Sequence, residues 1–139
     1  MNHLVVDTSV AAKWFLDEDH REAGRRVLAR GSGFSAPELM LIELDNVFWK
    51  RVRRGELKPA DAAAARKLLK KIPIKYYPDS DLRERAFSLS LATDCAVYDC
   101  LYLALALRLS GKLVTADRKF FRAVSRGPLQ SYVVWIENF

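Results

Sequence analysis

Short apolar segments alternate with helix-forming segments along the whole chain, and this alternation restricts the fold more than any other feature. The first segment, 4–6, is a continuous apolar run that ends at Asp7, as expected of a strand buried on both faces of a parallel sheet. Strands that alternate with helices are typical of folds in which helices cover both faces of such a sheet. The sequence therefore predicts an α/β fold with a central parallel sheet.

The boundaries of these segments follow from β-forming residues, helix caps, and the Gly and Pro residues that end helices. We predict strands at 4–6, 34–36, 74–77, 112–115 and 132–136. We predict helices at 10–16, about 20–30, 37–54, 58–71, about 81–93, about 97–110 and 118–124. The helix ends depend on the Thr8 and Ser9 hydroxyls, on Pro37 as a first helical residue, on Ser80 as a cap and on Gly111 as a residue in the C′ position.

The length of 139 residues suits one domain, and we expect residues 1–139 to form it. Half of the residues are hydrophobic, and six Gly and five Pro residues are too few for a disordered or fibrous chain. No apolar run reaches the roughly 18 residues of a membrane span, and the N-terminus lacks a basic segment followed by a long apolar one. We therefore expect a cytoplasmic protein that makes no membrane contact.

Basic residues outnumber acidic ones, with 23 Lys and Arg against 17 Asp and Glu and a formal net charge of +6. This balance favours an anionic partner, with nucleic acid as the first choice. Cys95 and Cys100 lack the spacing of a zinc motif, and His3 and His20 belong to no ligand motif. Zinc binding, a disulfide framework and histidine-based chemistry therefore have little support.

Four acidic residues occupy positions that suggest chemistry. Asp7 and Asp117 follow predicted strands, and ligands of open parallel sheets bind beyond the carboxyl ends of the strands. Each of the two could equally be a turn or N-cap aspartate. Glu43 lies inside an apolar helix, where a charged carboxylate needs a metal ion, a proton or a Lys or Arg partner. Asp99 opens an apolar interior helix, whose dipole alone would accommodate an acid.

If the four carboxylates converge, they form a site of oxygen ligands without His or Cys. Such donors suit a hard divalent cation, Mg²⁺ or Mn²⁺, rather than zinc. Carboxylates held this close repel one another in the absence of a cation. A convergent site therefore indicates metal-assisted chemistry on a phosphate.

In their order along the chain, the four acidic segments resemble those of PIN domains, particularly the VapC-type ribonuclease toxins of bacterial and archaeal toxin–antitoxin pairs. The resemblance covers nearly the whole chain and depends on VVDTSV with Asp7, ELDNVF with Glu43 and Asn46, YDCLYLALA with Asp99, and LVTADRKF with Asp117. It implies a three-layer αβα sandwich and a Mg²⁺-dependent endoribonuclease whose four acids bind the metal. It also implies a cognate antitoxin and a homodimer.

The resemblance gives supporting roles to four polar residues, which would orient water or neighbouring groups: Thr8, Ser9, Asn46 and Thr115. One position departs from the family pattern. Many relatives have a hydroxyl residue three positions before the third acid, where this chain has Ala96. The departure affects the cap of that helix and leaves the acidic positions intact.

Basic residues form four clusters, and each could be a solvated helix face. The clusters are Arg21, Arg25, Arg26 and Arg30; Lys50, Arg51, Arg53 and Arg54; Arg66, Lys67, Lys70 and Lys71; and Arg118, Lys119, Arg122 and Arg126. The last cluster directly follows Asp117, so we predict that Arg118, Lys119 and Arg122 bind RNA phosphates. Trp14 and Phe15 are expected in the core or at a partner interface.

Two other functions remain compatible with the sequence. One is a PIN-type RNA-binding or assembly module without turnover, which an activity measurement would distinguish. The other is a housekeeping nuclease that processes RNA or DNA without an antitoxin. A small upstream gene for a DNA-binding protein would favour the toxin over this second alternative.

Overall fold

A sheet of five parallel strands runs through the protein in the order β3-β2-β1-β4-β5. The computed structural model describes residues 3–139. The strands are β1 (Leu4–Val6), β2 (Phe34–Pro37), β3 (Ile74–Tyr77), β4 (Lys112–Thr115) and β5 (Val133–Trp135).

Seven α-helices lie within the described range of the chain. They are α1 (Thr8–Ala11), α2 (Arg21–Arg30), α3 (Leu39–Arg53), α4 (Pro59–Leu69), α5 (Asp79–Thr93), α6 (Val97–Arg108) and α7 (Arg118–Ser125). Short 3₁₀ turns cover Ala12–Trp14, Gln130–Tyr132 and Ile136–Asn138. No single helix between residues 3 and 139 is long and apolar enough to cross a membrane, and α5 and α6 meet that test only jointly, across a bend of 112°.

Helices cover both faces of the sheet. Val5 and Val6 are neighbours in β1 and therefore face opposite sides, yet neither is exposed. Leu113 and Val114 in β4 are buried in the same way. α6 packs along β1, β2 and β4 with α5 packed on it, and α3 contacts β2 and α1. The arrangement is the predicted three-layer αβα sandwich with a central parallel sheet.

The parallel direction of the strands brings their carboxyl ends to one edge of the sheet. Val6 lies beside Val114 in the register of β1 and β4, so the residues that follow these two strands meet at that edge. Asp7 follows β1 directly, and Asp117 follows β4 by two positions. The connections after β1 and β4 therefore place two of the four candidate acids together.

Two predicted helix starts are wrong, and at the first of them a tertiary contact supplies the cap. Pro37 does not begin a helix; it ends β2, where it pairs with Tyr77. α3 begins at Leu39, whose N–H donates to Oδ1 of Asp79 at 3.1 Å. Ser80 does not cap α5, because that helix already begins at Asp79.

Two further predicted ends are also corrected. The helix predicted at 10–16 starts at Thr8, because Asp7 is its N-cap, and it passes into a 3₁₀ turn at Ala12–Trp14. Gly111 is one residue beyond the C′ position: Ser110 adopts the left-handed conformation (φ 51°), and the Gly111 N–H donates to the carbonyl of Ala106 at 2.9 Å. The remaining predicted ends agree with the structure to within two residues.

Glycine is required at position 111 by space rather than by backbone conformation. A Cβ atom there would lie 2.3 Å from the carbonyl oxygen of His3. The two segments touch because the Lys112 N–H donates to that same oxygen at 2.9 Å as β4 begins to pair with β1.

Candidate active site

Asp7 lies at the carboxyl end of β1 and caps α1. Its Oδ1 accepts a hydrogen bond from the Val10 N–H at 3.2 Å and one from Ser9 Oγ at 2.5 Å. Only 9% of the residue is exposed. Burial raises the pKa of Asp7 to about 6, even though hydrogen bonds from Ser9, Thr115 and Val10 lower it. Asp7 is therefore an N-cap residue, which was one of the two possibilities left open by the sequence. Its burial disfavours the charged form of the carboxylate.

Asp117 caps α7 in the same manner. Its Oδ1 accepts from the Phe120 N–H at 3.1 Å, and its own N–H donates to Oγ1 of the buried Thr115 at 3.1 Å. Unlike Asp7, Asp117 is exposed. Its Oδ2 makes no hydrogen bond within residues 3–139 and faces no competing protein donor.

Glu43 lies on α3 and takes its partners from two other helices. Its Oε1 accepts from Thr8 Oγ1 at 2.9 Å and from the Tyr102 hydroxyl at 2.5 Å. The two hydroxyl oxygens also lie 2.9 Å from each other. No Lys or Arg in the described range pairs with Glu43, so these two hydroxyl groups take the place of the basic partner that sequence reasoning left open.

Asp99 lies in the first turn of α6 and is half-buried. It is close enough to each of the other three acids for their charges to interact. Burial, together with the charges of Asp117 and Glu43, raises the pKa of Asp99 to about 6. Asp99 in turn contributes to the raised pKa of Asp7. Ala96, in the N-cap position, provides no side-chain hydrogen bond, so α6 begins without a side-chain cap.

The four acids thus lie at the carboxyl edge of the sheet, where the charge of Asp99 interacts with those of the other three. No Lys, Arg or His within residues 3–139 neutralises these carboxylates. None of the ion pairs found within residues 3–139 includes Asp7, Glu43, Asp99 or Asp117. Such a group of uncompensated carboxylates favours a bound cation.

The donor chemistry fits a hard divalent cation, because every polar side chain described above offers oxygen. Within residues 3–139, however, no three Asp, Glu, His or Cys side chains stand close enough together to form a complete ligand set. Mg²⁺ accepts this arrangement, since it keeps several waters and usually takes one or two carboxylates together with substrate phosphates. The residues therefore fit a hard divalent cation that keeps part of its own water shell.

Three of the four predicted supporting residues contact the acids, and one does not. Thr8 contacts Glu43, and Thr115 contacts Asp117. Ser9 Oγ donates to Asp7 and accepts from the Ala116 N–H at 2.9 Å, so it connects the ends of β1 and β4. Asn46 lies one turn beyond Glu43 on α3, is exposed, and makes none of these hydrogen bonds.

Sequence reasoning missed Tyr102, which contacts both Glu43 and Thr8. It is 2% exposed, and burial followed by the charge of Glu43 raises the pKa of its phenol. The available signal was a hydroxyl group inside an otherwise apolar helix, since a buried tyrosine usually finds a hydrogen-bond partner.

The predicted RNA-binding cluster divides into two parts. The Arg118 guanidinium lies 4.1 Å from the centroid of the Trp135 ring, which holds it by a cation–π contact. Lys119 and Arg122 are exposed and form no ion pair within residues 3–139. In the first basic cluster, by contrast, three arginines pair with acids: Arg21 with Asp17, Arg25 with Glu22, and Arg26 with Glu137.

Trp14 and Phe15 pack against the core. The indole N–H of Trp14 donates to the carbonyl of Gly24 at 3.0 Å, and the ring lies 5.1 Å from that of Phe34. Phe15 makes an edge contact with Phe48. Both side chains are half-buried at the edge of the core, as expected from the sequence.

The fold and the ordered acids define the class of protein. The PIN domain family model matches residues 4–126, and the chain belongs to this family. Ribonuclease VapC3 of Pyrobaculum aerophilum is 32% identical to the chain over 118 residues, which cover 84% of this chain and 90% of the relative.

Two solved structures share the fold at lower identity. A second Pyrobaculum aerophilum protein superposes with a TM-score of 0.73 at 20% identity, over 98% of this chain and 90% of that one. A toxin–antitoxin complex from Klebsiella pneumoniae contains a chain that superposes with a TM-score of 0.69 at 17% identity, over 98% of this chain and 99% of the other.

Proposed function

We propose that this chain is a metal-dependent endoribonuclease and the toxin of a type II, VapBC-like toxin–antitoxin pair. The observation that carries the proposal is a set of four carboxylates at the carboxyl edge of a PIN sheet: Asp99 interacts electrostatically with each of the other three, and none of the four has a basic partner in the described residues. Identity to a ribonuclease supports RNA as the substrate. The fold shared with a chain of a toxin–antitoxin complex supports an antitoxin as the partner.

Asp7, Asp99 and Asp117, together with Glu43, would hold the cation, which we propose to be Mg²⁺ with Mn²⁺ as a substitute. When bound, such an ion lowers the pKa of a coordinated water and polarises a phosphoryl oxygen. The protein's part is to hold its carboxylates in place. The N-caps of α1 and α7 immobilise Oδ1 of Asp7 and Oδ1 of Asp117.

Glu43 contributes in a different way, because both of its hydrogen bonds fall on Oε1. Oε2 makes no hydrogen bond within residues 3–139, so it stays available to the cation or to a water molecule. Ser9 Oγ donates to the carboxylate of Asp7, and Thr115 Oγ1 accepts from the backbone N–H of Asp117. Both hydroxyl groups thereby help to fix the positions of the aspartates.

The RNA backbone would approach along α7, where Lys119 and Arg122 offer unpaired positive charge beside Asp117. Contacts of this kind give affinity and little base specificity. Arg118 lies over the Trp135 ring and remains exposed, so we propose that it takes part in the same contacts. We further propose that the chain acts in the cytoplasm as a single domain and as a homodimer.

Cleavage of RNA by the purified protein tests the proposal, with Mg²⁺, Mn²⁺ or EDTA and with Glu43→Gln and Asp99→Asn as inactive variants. We expect metal-dependent cleavage by the wild type alone, and variants that keep its fold. Induced expression in bacteria, with mapping of RNA ends, should then show growth arrest and discrete new ends.

The same experiments separate the alternatives. RNA binding without cleavage under all metal conditions would indicate a binding or assembly module. Cleavage in vitro without growth arrest would indicate a processing nuclease that needs no antitoxin.

A further inference from the structure

Three side chains from three helices meet at one carboxylate oxygen. Thr8 comes from α1, Tyr102 from α6 and Glu43 from α3, and their polar atoms form a triangle with sides of 2.5, 2.9 and 2.9 Å. Tyr102 is 2% exposed, so its hydroxyl has little access to water. The phenol therefore depends on the other two residues for its hydrogen bonding.

The hydrogen bonds of this triangle run from the two hydroxyl groups to the carboxylate. Two hydroxyl groups supply two protons for three oxygen–oxygen contacts, and a carboxylate supplies none. The phenol is the more acidic of the two donors and makes the shorter contact, so it donates to Oε1 of Glu43. Thr8 then donates to the same oxygen or to the phenol.

We propose that Tyr102 is a positioning residue, whose hydroxyl, together with that of Thr8, holds Oε1 of Glu43 and so turns Oε2 toward the acid cluster. The part of this inference that concerns cleavage rests on the proposed nuclease function. Tyr102 also lies three residues after Asp99 on α6, a separation that places both side chains on one side of the helix. Helix α6 thus carries both Asp99, a candidate metal ligand, and Tyr102, the group that orients the second candidate ligand, Glu43.

Packing alone does not account for the hydroxyl group. A phenylalanine would fill the same space in a helix that is otherwise apolar between Cys100 and Leu107. Tyr76 provides the matched comparison, because its buried hydroxyl has no hydrogen-bond partner within residues 3–139. The two tyrosines differ in whether the hydroxyl meets a carboxylate.

The test compares Tyr102→Phe with Tyr76→Phe in single-turnover and steady-state cleavage of RNA. Loss of a group that orients a ligand typically costs roughly 10- to 100-fold in activity, so we expect kcat of Tyr102→Phe to fall by that factor while KM is unchanged. Tyr76→Phe should keep the wild-type kcat. The melting temperatures of both variants should remain close to that of the wild type.

A crystal structure of Tyr102→Phe gives a readout that is independent of activity. We expect the Glu43 carboxylate to leave its single orientation, whereas in Tyr76→Phe it should keep that orientation. An unmoved Glu43 in Tyr102→Phe, or an unchanged kcat in an active enzyme, overturns the inference. If the wild type cleaves no RNA, the nuclease proposal fails, and the crystal structure still decides whether Tyr102 positions Glu43.

Discussion

Asp79 accepts a hydrogen bond at 3.1 Å from the backbone N–H of Leu39, across 40 residues of sequence. Leu39 is the first residue of α3, and Glu38, in the N-cap position, provides no side-chain cap of its own. Asp79 therefore serves as a remote cap. Because α3 carries Glu43, the placement of that carboxylate depends in part on α5.

Asp79→Ala should lower the free energy of unfolding by about 1 kcal/mol, the usual cost of a lost helix cap. Asp81→Ala is the matched control, since Asp81 is an exposed acid in the same first turn of α5. It should change stability by less than about 0.5 kcal/mol. Urea unfolding of both variants checks this, and equal losses would show that the negative charge, rather than the cap, is what matters.

Asp7→Asn and Asp99→Asn should abolish metal-dependent cleavage and keep the fold, because the amide has nearly the same volume and lacks the charge that binds a cation. In EDTA both variants should melt at a higher temperature than the wild type, since each removes a carboxylate whose charged form is disfavoured by burial. Glu84→Gln, an exposed change on α5, is the control for charge loss. Wild-type cleavage rates in either aspartate variant would exclude that residue from the site.

The metal-free protein should become less stable as the pH rises. Burial raises the pKa of Asp7 from 3.8 to about 6, and that of Asp99 likewise, so between these values the folded state binds more protons than the unfolded state. The stabilising contribution is complete below the lower value and is lost as the pH rises through about 6. Melting temperatures in EDTA from about pH 4 to about pH 7 should fall more steeply for the wild type than for an Asp7→Asn/Asp99→Asn double variant. Parallel curves would contradict the raised pKa values.

Lys119→Ala/Arg122→Ala should weaken RNA binding and flatten its salt dependence. Each lost phosphate contact should reduce the slope of log K against log salt by about 0.7 for single-stranded RNA. The measurement is made in the inactive Asp7→Asn background, with Lys67→Ala/Lys70→Ala, on α4 and at its C-cap, as a control of equal charge. If only the α4 variant changes the slope, the RNA path runs along α4 instead of α7.

Glu18→Ala should destabilise the fold by about 2 kcal/mol, because it leaves a buried charge without a partner. Glu18 accepts from Lys13 at 3.0 Å and from Arg51 at 2.6 Å, and Lys13 is 8% exposed. Adding Lys13→Met should recover much of the loss, since the uncompensated ammonium is then gone. Glu22→Ala, which removes an exposed pair with Arg25, should cost less than about 0.5 kcal/mol in the same unfolding experiment.

Local patterns predicted the sandwich, because strand and helix periodicity are properties of neighbouring residues. The adjacent apolar residues Val5 and Val6 predict a strand that is buried on both faces, without knowledge of its partner strands. Both side chains are fully buried in the structure. Asp7 and Asp117 were placed at the sheet edge by the same reasoning, since parallel strands end on one side. The helix starts assigned to Pro37 and Ser80 were wrong, since Asp79 caps α3 from a distant helix and α5 itself already begins at Asp79.

The sequence alone determined the fold class, the order of the acids and their oxygen-only chemistry, since all three depend on residue type and spacing along the chain. Only the tertiary structure decided which groups compensate each acid. Glu43 meets Thr8 and Tyr102 rather than a Lys or Arg, and the exposed Arg118 lies over the Trp135 ring. These partners lie 35, 59 and 17 residues away in sequence, and contacts at such separations arise from the packing of helices on the sheet, which no local pattern records.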